Sequence, residues 1–170
     1  ACAVVTGSSP EAAKRAAEEI ALSYWQARED FRFGPVTGDL DDMLDLAEKA
    51  ETQPVILADS GDNPTGGGVG DRADVLKALI LRGFEGAVIG GITDRPAVEA
   101  CFAAGIGKTL SLKIGGSLDP SGPFVEVGAE IVSLDDPGPA DERQAVVKIG
   151  GITLILACLL YTSPSPRDRT

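Results

Sequence analysis

Pro54-Val-Ile-Leu-Ala58, then Asp59-Ser-Gly-Asp-Asn-Pro-Thr-Gly-Gly-Gly-Val-Gly-Asp71, then a helical stretch and Gly86-Ala-Val-Ile-Gly90 are the segments on which the fold turns. The first is a short continuous apolar run of the kind found in strands covered on both faces. After the glycine-rich loop, Val75, Leu76, Leu79 and Ile80 fall on one helical face, and Gly83 sits where a left-handed cap closes a helix. Gly86 to Gly90 reads as a second strand, so the order is strand, loop, helix, strand, joined by the usual right-handed crossover. Ligands of open α/β sheets gather beyond the carboxyl ends of the strands, which makes residues 59–71 the first candidate site.

Working toward the N-terminus, Ser8 or Ser9 can cap a helix with Pro10 in its first turn. Its apolar stripe runs through Ala13, Ala16, Ala17, Ile20, Ala21 and Tyr24 to about Arg28. Trp25 and Tyr24 at its end read as core or interface, with an aromatic ligand shelf as the alternative. After the breaker Phe31-Arg-Phe-Gly-Pro35, Asp39 can cap a second helix that turns Leu40, Met43, Leu44 and Ala47 inward. Its acidic segment, Asp39 to Asp45, reads as a solvated face. Ala1-Cys-Ala-Val-Val-Thr6 resembles the second half of a buried strand and lacks a methionine, so the chain is expected to be an internal piece of a longer protein.

Working toward the C-terminus, a helix from about Arg95 to Ala104 turns Val98 and Phe102 inward and stops at Gly105. Cys101, among Ala and Phe, reads as a small buried hydrophobe. Beyond residue 106 the period changes to two. Thr109 to Ile114 and Phe124 to Val132 alternate, and Ala145 to Ile149 with Ile152 to Ala157 form a hairpin around Gly150-Gly151. The expected fold is therefore α/β, a mixed sheet with parallel β-α-β units in the first two thirds and an antiparallel β-rich final third. Residues 158–170 resemble translated read-through of a sequencing adapter and are set aside as a non-native tail.

Composition narrows the function. There are 15 Lys and Arg against 26 Asp and Glu, a net charge of −11, so no basic surplus exists to engage a phosphate backbone and nucleic acid is not expected as a partner. The 170 residues hold no histidine, which excludes a His general base or a zinc–His site within them. Three cysteines without a CxxC pair suit a reducing, cytoplasmic setting. The longest apolar run, 152–160, is about half the ~20 residues of a membrane span, so no membrane association is expected.

The 59–71 loop admits several chemistries. Its glycines could let backbone N–H groups cradle a phosphate, but GxxxxGK[ST] and GxGxxG are both incomplete and Asp59, Asp62 and Asp71 would repel the anion. Those three carboxylates could instead hold Mg²⁺ or Ca²⁺, although their spacing matches no EF-hand. The bland alternative has Asp71 capping the next helix and Asn63-Pro64 making a turn. Gly115-Gly116 with Ser117 and Asp119 is a turn or a second rim loop.

The 59–71 segment, with Asp94-Arg-Pro-Ala-Val-Glu-Ala-Cys-Phe-Ala-Ala-Gly105 and Lys113-Ile-Gly-Gly-Ser-Leu-Asp119, resembles the C-terminal domain of the microcystinase C (MlrC-type) metallopeptidase family. The resemblance implies a zinc-dependent hydrolase that cleaves amide bonds of small peptides. Residues 1–35 would close an N-terminal domain that carries the zinc ligands and is otherwise missing, and 36–157 would be the C-terminal domain lining the substrate cleft. Within it, Asp62, Asn63, Pro64, Gly66, Gly67 and Gly68 would contact the peptide. No catalytic or metal-binding residue, and no cofactor, is expected in this chain, which alone would be inactive. The alternative is a non-catalytic small-ligand-binding or structural α/β module.

Overall fold

A computed structural model describes residues 2–32 and 34–159. The expected non-native tail therefore lies outside the described residues from 160 onward. The chain divides into two compact units, Ala1–Gln53 and Pro54–Thr170.

In the first unit, helix α1 spans Pro10–Gln26 and continues into a 3-10 turn at Ala27–Glu29. Ser9 is the cap, its hydroxyl accepting from Ala12 N–H at 3.3 Å, and proline stands in the first turn where its missing N–H costs nothing. The expected inner stripe is not a core: no residue of α1 is buried, and Trp25 is 63% exposed. An apolar stripe is buried only where another layer covers it. Trp25 instead lies under the Arg28 guanidinium, 4.5 Å from the ring centre, and Tyr24 meets Phe31 with ring centres 4.8 Å apart. Helix α2, Leu40–Glu48, is capped as expected by Asp39, which accepts from Asp42 N–H at 3.0 Å, and it buries Leu44 completely.

Among the described residues the second unit is a five-stranded mixed sheet with two α-helices and short 3-10 turns. Helix α3 is Asp74–Arg82, strand β1 Ala87–Thr93, helix α4 Arg95–Ala104 and strand β2 Thr109–Ile114. Strands β3 Val125–Asp135, β4 Gln144–Ile149 and β5 Ile152–Ala157 follow. The order across the sheet is β1-β5-β4-β3-β2. Only β1 with β5 is parallel; the other neighbours are antiparallel, and β4 and β5 turn at Gly150-Gly151 with Ile149 opposite Ile152. Alternating burial along β4 and β5 gives the sheet one covered and one wetter face.

One strand expected from sequence is not formed. Pro54 to Ala58 is irregular and exposed, with Ile56 at 87%. The parallel neighbour that β1 requires is supplied by β5, so this apolar run has no place in the ladder. Helix α3 buries Leu76 and Leu79 and ends at Gly83 in the left-handed conformation as read, while Val75 and Ile80 on the same face are only half-buried. Helix α4 packs against β2, β3, β4 and β5. Val98 and Cys101 from α4 are buried with Ile114, Ile131, Val147, Leu154 and Leu156. Full burial of each large aliphatic side chain contributes roughly 1.5–3 kcal/mol. Phe102 is half-buried and faces the Arg143 guanidinium at 4.8 Å, so it is less inward than its spacing suggests.

Candidate functional site

The 59–71 loop is organised by its own backbone and by one carboxylate. Gly66 and Gly68 N–H both donate to the Asn63 carbonyl at 2.9 Å, and Gly67 N–H donates to the Pro64 carbonyl at 3.1 Å. A 3-10 turn at Pro64–Gly66 results. Asp62 accepts from Gly70 N–H at 2.7 Å and from Arg72 N–H at 2.8 Å, one bond on each oxygen, which closes the loop at its base. Gly68 is obligatory there: a Cβ would come within 2.7 Å of Asn63 N and 2.8 Å of Asp62 C. The N–H groups of Gly66, Gly67 and Gly68 are thus spent inside the loop, which removes the donors that a phosphate cradle would need. Asn63, Gly66 and Gly67 are exposed at its tip, and Asp62, Pro64 and Gly68 are half-buried.

Two further aspartates tie together the segments that lie beyond the sheet. Asp94, 2% exposed, caps α4 by accepting from Ala97 N–H at 3.1 Å, and its other oxygen accepts from Gly115 N–H at 2.8 Å. Asp71, fully buried, accepts from Leu118 N–H at 2.7 Å and Asp119 N–H at 2.9 Å through Oδ2. Backbone bonds complete the junction: Thr93 N–H to the Gly70 carbonyl at 2.8 Å, Gly116 N–H to the Asp71 carbonyl at 3.1 Å and Ala73 N–H to the Pro123 carbonyl at 3.3 Å. Thr93 ends β1 and Asp94 follows it, residues 115–119 follow β2, and β1 and β2 are the two edges of the sheet. Five strands laid flat would hold those edges roughly 19 Å apart at the usual strand spacing. Their direct bonding shows that the sheet curls until the segments beyond its edges meet. Gly115 sits in that seam at φ +93, where a Cβ would lie 2.8 Å from the Pro123 carbonyl oxygen.

Several sequence readings change here. Asp71 does not cap α3, whose cap position is Ala73 with no side-chain bond. Asp59, Asp62 and Asp71 do not converge on a cation: Asp59 bonds Gly61 N–H locally, and the other two serve different backbone segments. Among the described residues no three His, Cys, Asp or Glu side chains could hold a metal ion. The sequence reading gave Asp94 no role and Asp119 only a place in a turn or rim loop. Asp94 could have been found from Asp94-Arg-Pro96, a cap followed by a proline in the first helical turn. The Gly115-Gly116 segment is bonded to Asp71 and Asp94, a long-range tie that spacing alone could not separate from an ordinary turn.

Arg72 provides the positive charge among these acids. It bonds Asp74 at 2.7 Å, and that bond, with the added fields of Asp62 and Asp119, holds its guanidinium pKa above the usual arginine value. Asp119 is held below the ordinary carboxylate range, first by the Ser121 hydroxyl at 2.6 Å, then by Ser121 N–H and Arg72. At the edge of the rim Lys113 lies over the exposed Phe124 ring at 4.2 Å.

Comparison with known proteins places this arrangement. The family model described as MlrC C-terminus matches residues 57–164. Microcystinase C of Sphingomonas sp is 39% identical over 92 residues, which are 54% of this chain and 18% of that protein. A crystal structure of a Mesorhizobium sp. BNC1 protein, assigned as a metallopeptidase, superposes with a TM-score of 0.65 at 24% identity, over 88% of this chain and 32% of that one. The chain thus spans under a third of either relative's length, and the second likeness speaks for the fold alone. No described helix is long and apolar enough to cross a membrane. With the glycine loop, the Asp94-capped helix and the Gly115–Asp119 rim all inside the matched span, the chain belongs to the MlrC C-terminus family.

Proposed function

We propose that this chain is the substrate-facing C-terminal part of a zinc-dependent hydrolase that cleaves amide bonds in small peptides. The observation that carries the reading is the bonded pair of loops, 62–72 and 115–119, held together beyond the sheet edges in a chain of this family. Paired rigid loops on a scaffold are the usual means of orienting a ligand. In this reading Asp62 shapes the loop, Asn63, Gly66 and Gly67 present its exposed tip to the peptide backbone, and the half-buried Pro64 and Gly68 flank that contact. Asn63 offers both a donor and an acceptor, matching a peptide C=O and N–H.

The zinc ligands belong to the longer protein. This chain has no histidine and no described cluster of three potential ligands, so its residues do not fit a zinc site, and its task is to bind and orient. Residues 1–35 are read as the close of the metal-binding domain and 36–157 as the C-terminal domain. Three free cysteines, with Cys101 and Cys158 buried, support a reducing cytoplasmic setting.

The test uses the full-length protein that carries this chain, assayed on linear tetrapeptides and on microcystin with products read by mass spectrometry. Asn63→Ala should raise KM by about three- to tenfold, the loss of one or two substrate hydrogen bonds, with zinc content unchanged. Loss of zinc, or an unaltered KM, overturns the contact role. A wild-type protein that cleaves none of these peptides returns the chain to a structural module.

A further inference from the structure

The proposed cleft reading leaves Asp71 unexplained, and Asp71 breaks a rule that folded proteins keep. Its side chain is fully buried, yet only Oδ2 accepts hydrogen bonds, from Leu118 and Asp119 N–H, while Oδ1 has no partner among the described residues. Thr93, 4% exposed at the same junction, likewise has an unpartnered hydroxyl. Among the described residues the ion pairs of Arg72 and Arg143 go to Asp74 and Asp136, and none includes Asp71. A buried carboxylate satisfied on one side is an expensive choice for stability alone, and such violations concentrate at functional sites.

Resting on the peptidase reading above, we infer that Asp71 is a positioning residue of the cleft, fixing the 115–119 rim against the glycine loop and so setting peptide affinity. The geometry explains the choice of residue. Asp71 lies directly after the loop that Asp62 closes, its own carbonyl accepts from Gly116 N–H, and its carboxylate accepts from two successive N–H groups two residues farther on. Main chain and side chain of one residue thereby hold both ends of the rim segment 116–119. Beyond those bonds the rim presents Leu118, 58% exposed, and the Asp119 carboxylate, whose charge Ser121 and Arg72 maintain. A rim that is ordered before binding spares the peptide the cost of ordering it; a rim ordered a tenth of the time weakens apparent affinity about tenfold.

The experiment compares Asp71→Ala and Asp71→Asn with wild type in the full-length protein, measuring kcat and KM on the tetrapeptide panel, zinc content, and amide exchange at Leu118 and Asp119. Asp71→Ala should raise KM about tenfold with kcat held within about twofold, leave zinc unchanged, and speed exchange at both amides. Asp71→Asn keeps an acceptor oxygen but loses the charge that roughly doubles such bonds, so its KM should rise by about threefold. If Asp71→Ala does not fold, Asp71→Asn decides: a KM equal to wild type overturns the inference. A fall in kcat at constant KM, or faster amide exchange with KM unmoved, also overturns it and shows a merely structural residue. A wild type without peptidase activity overturns the parent reading and this role together, whereas an active wild type with indifferent variants overturns this role alone.

Discussion

Replacing Asp94 by alanine tests the seam between the sheet edges directly. The substitution removes the cap acceptor for Ala97 N–H and the acceptor for Gly115 N–H, both in buried surroundings. Loss of a helix cap costs about 1 kcal/mol. Loss of a charged acceptor from a buried N–H costs about 1.5–3 kcal/mol, because the donor stays buried without a partner. The two together amount to about 3 kcal/mol. With a urea slope of about 2 kcal/mol/M, the unfolding midpoint should fall by about 1.5 M. Asp94→Ser separates the contributions, since a serine hydroxyl still caps α4 but is too short to reach Gly115; it should lose about 2 kcal/mol. Circular dichroism against urea reads both variants. An Asp94→Ala midpoint within about 0.3 M of wild type would show that neither bond stabilises the fold. A wild-type midpoint for Asp94→Ser would show that the link to the rim loop contributes nothing, and the argument for a curled, pre-formed rim would go with it.

Two other outcomes follow from the same packing. Gly115→Ala should destabilise by about 2–4 kcal/mol in thermal melts, since φ +93 strains any side chain and the new Cβ would overlap the Pro123 carbonyl oxygen and the Ala73 Cβ; a neutral substitution would refute the close approach. Burial pushes the Cys101 thiol up to about 11. Because the unfolded thiol titrates near 8.5, the buried neutral form stabilises the fold fully below that pH, and the benefit is lost as pH rises toward 11. The difference in urea midpoint between wild type and Cys101→Ala should therefore shrink across that window, and a constant difference would refute it. At neutral pH exposed Cys2 should react with a thiol reagent and Cys101 should not until the protein unfolds.

What could be read from sequence was what local chemistry decides. Ser9, Asp39 and Gly83 announce their helix ends through bonds or dihedrals that depend on immediate neighbours, and all three act as read. The alternation of 109–114 and 152–157 fixes those strands to the residue. What failed depends on partners distant in sequence. Pro54 to Ala58 has the composition of a buried strand, yet a strand exists only where a neighbour pairs with it, and β1 takes β5 from some sixty residues farther along. The stripe of α1 carries the right period, but periodicity names the face to be covered and not the element that covers it. The family likeness was legible because it rests on residue identities in the loops. The hold of Asp71 on Leu118 and Asp119, and of Asp94 on Gly115, was not, because each acts on backbone lying 21 to 48 residues away.

The acidity of the chain takes on a different meaning once these bonds are drawn. A run with Asp59, Asp62 and Asp71 among glycines invites a cation, and net charge −11 strengthens the invitation. In the structure Asp62, Asp71 and Asp94 each accept two backbone N–H groups, and Arg72 sets its positive charge among Asp62, Asp74 and Asp119. A backbone N–H is a weaker counter-charge than a metal ion, but it is fixed in direction, so three carboxylates used this way convert charge into shape. The glycines serve the same end, since Gly68 and Gly115 allow backbone to approach where any side chain would intrude. The loops therefore need no ion to hold their form. That fits the proposed role, in which this part presents a rigid surface to a peptide and the metal is held by other residues.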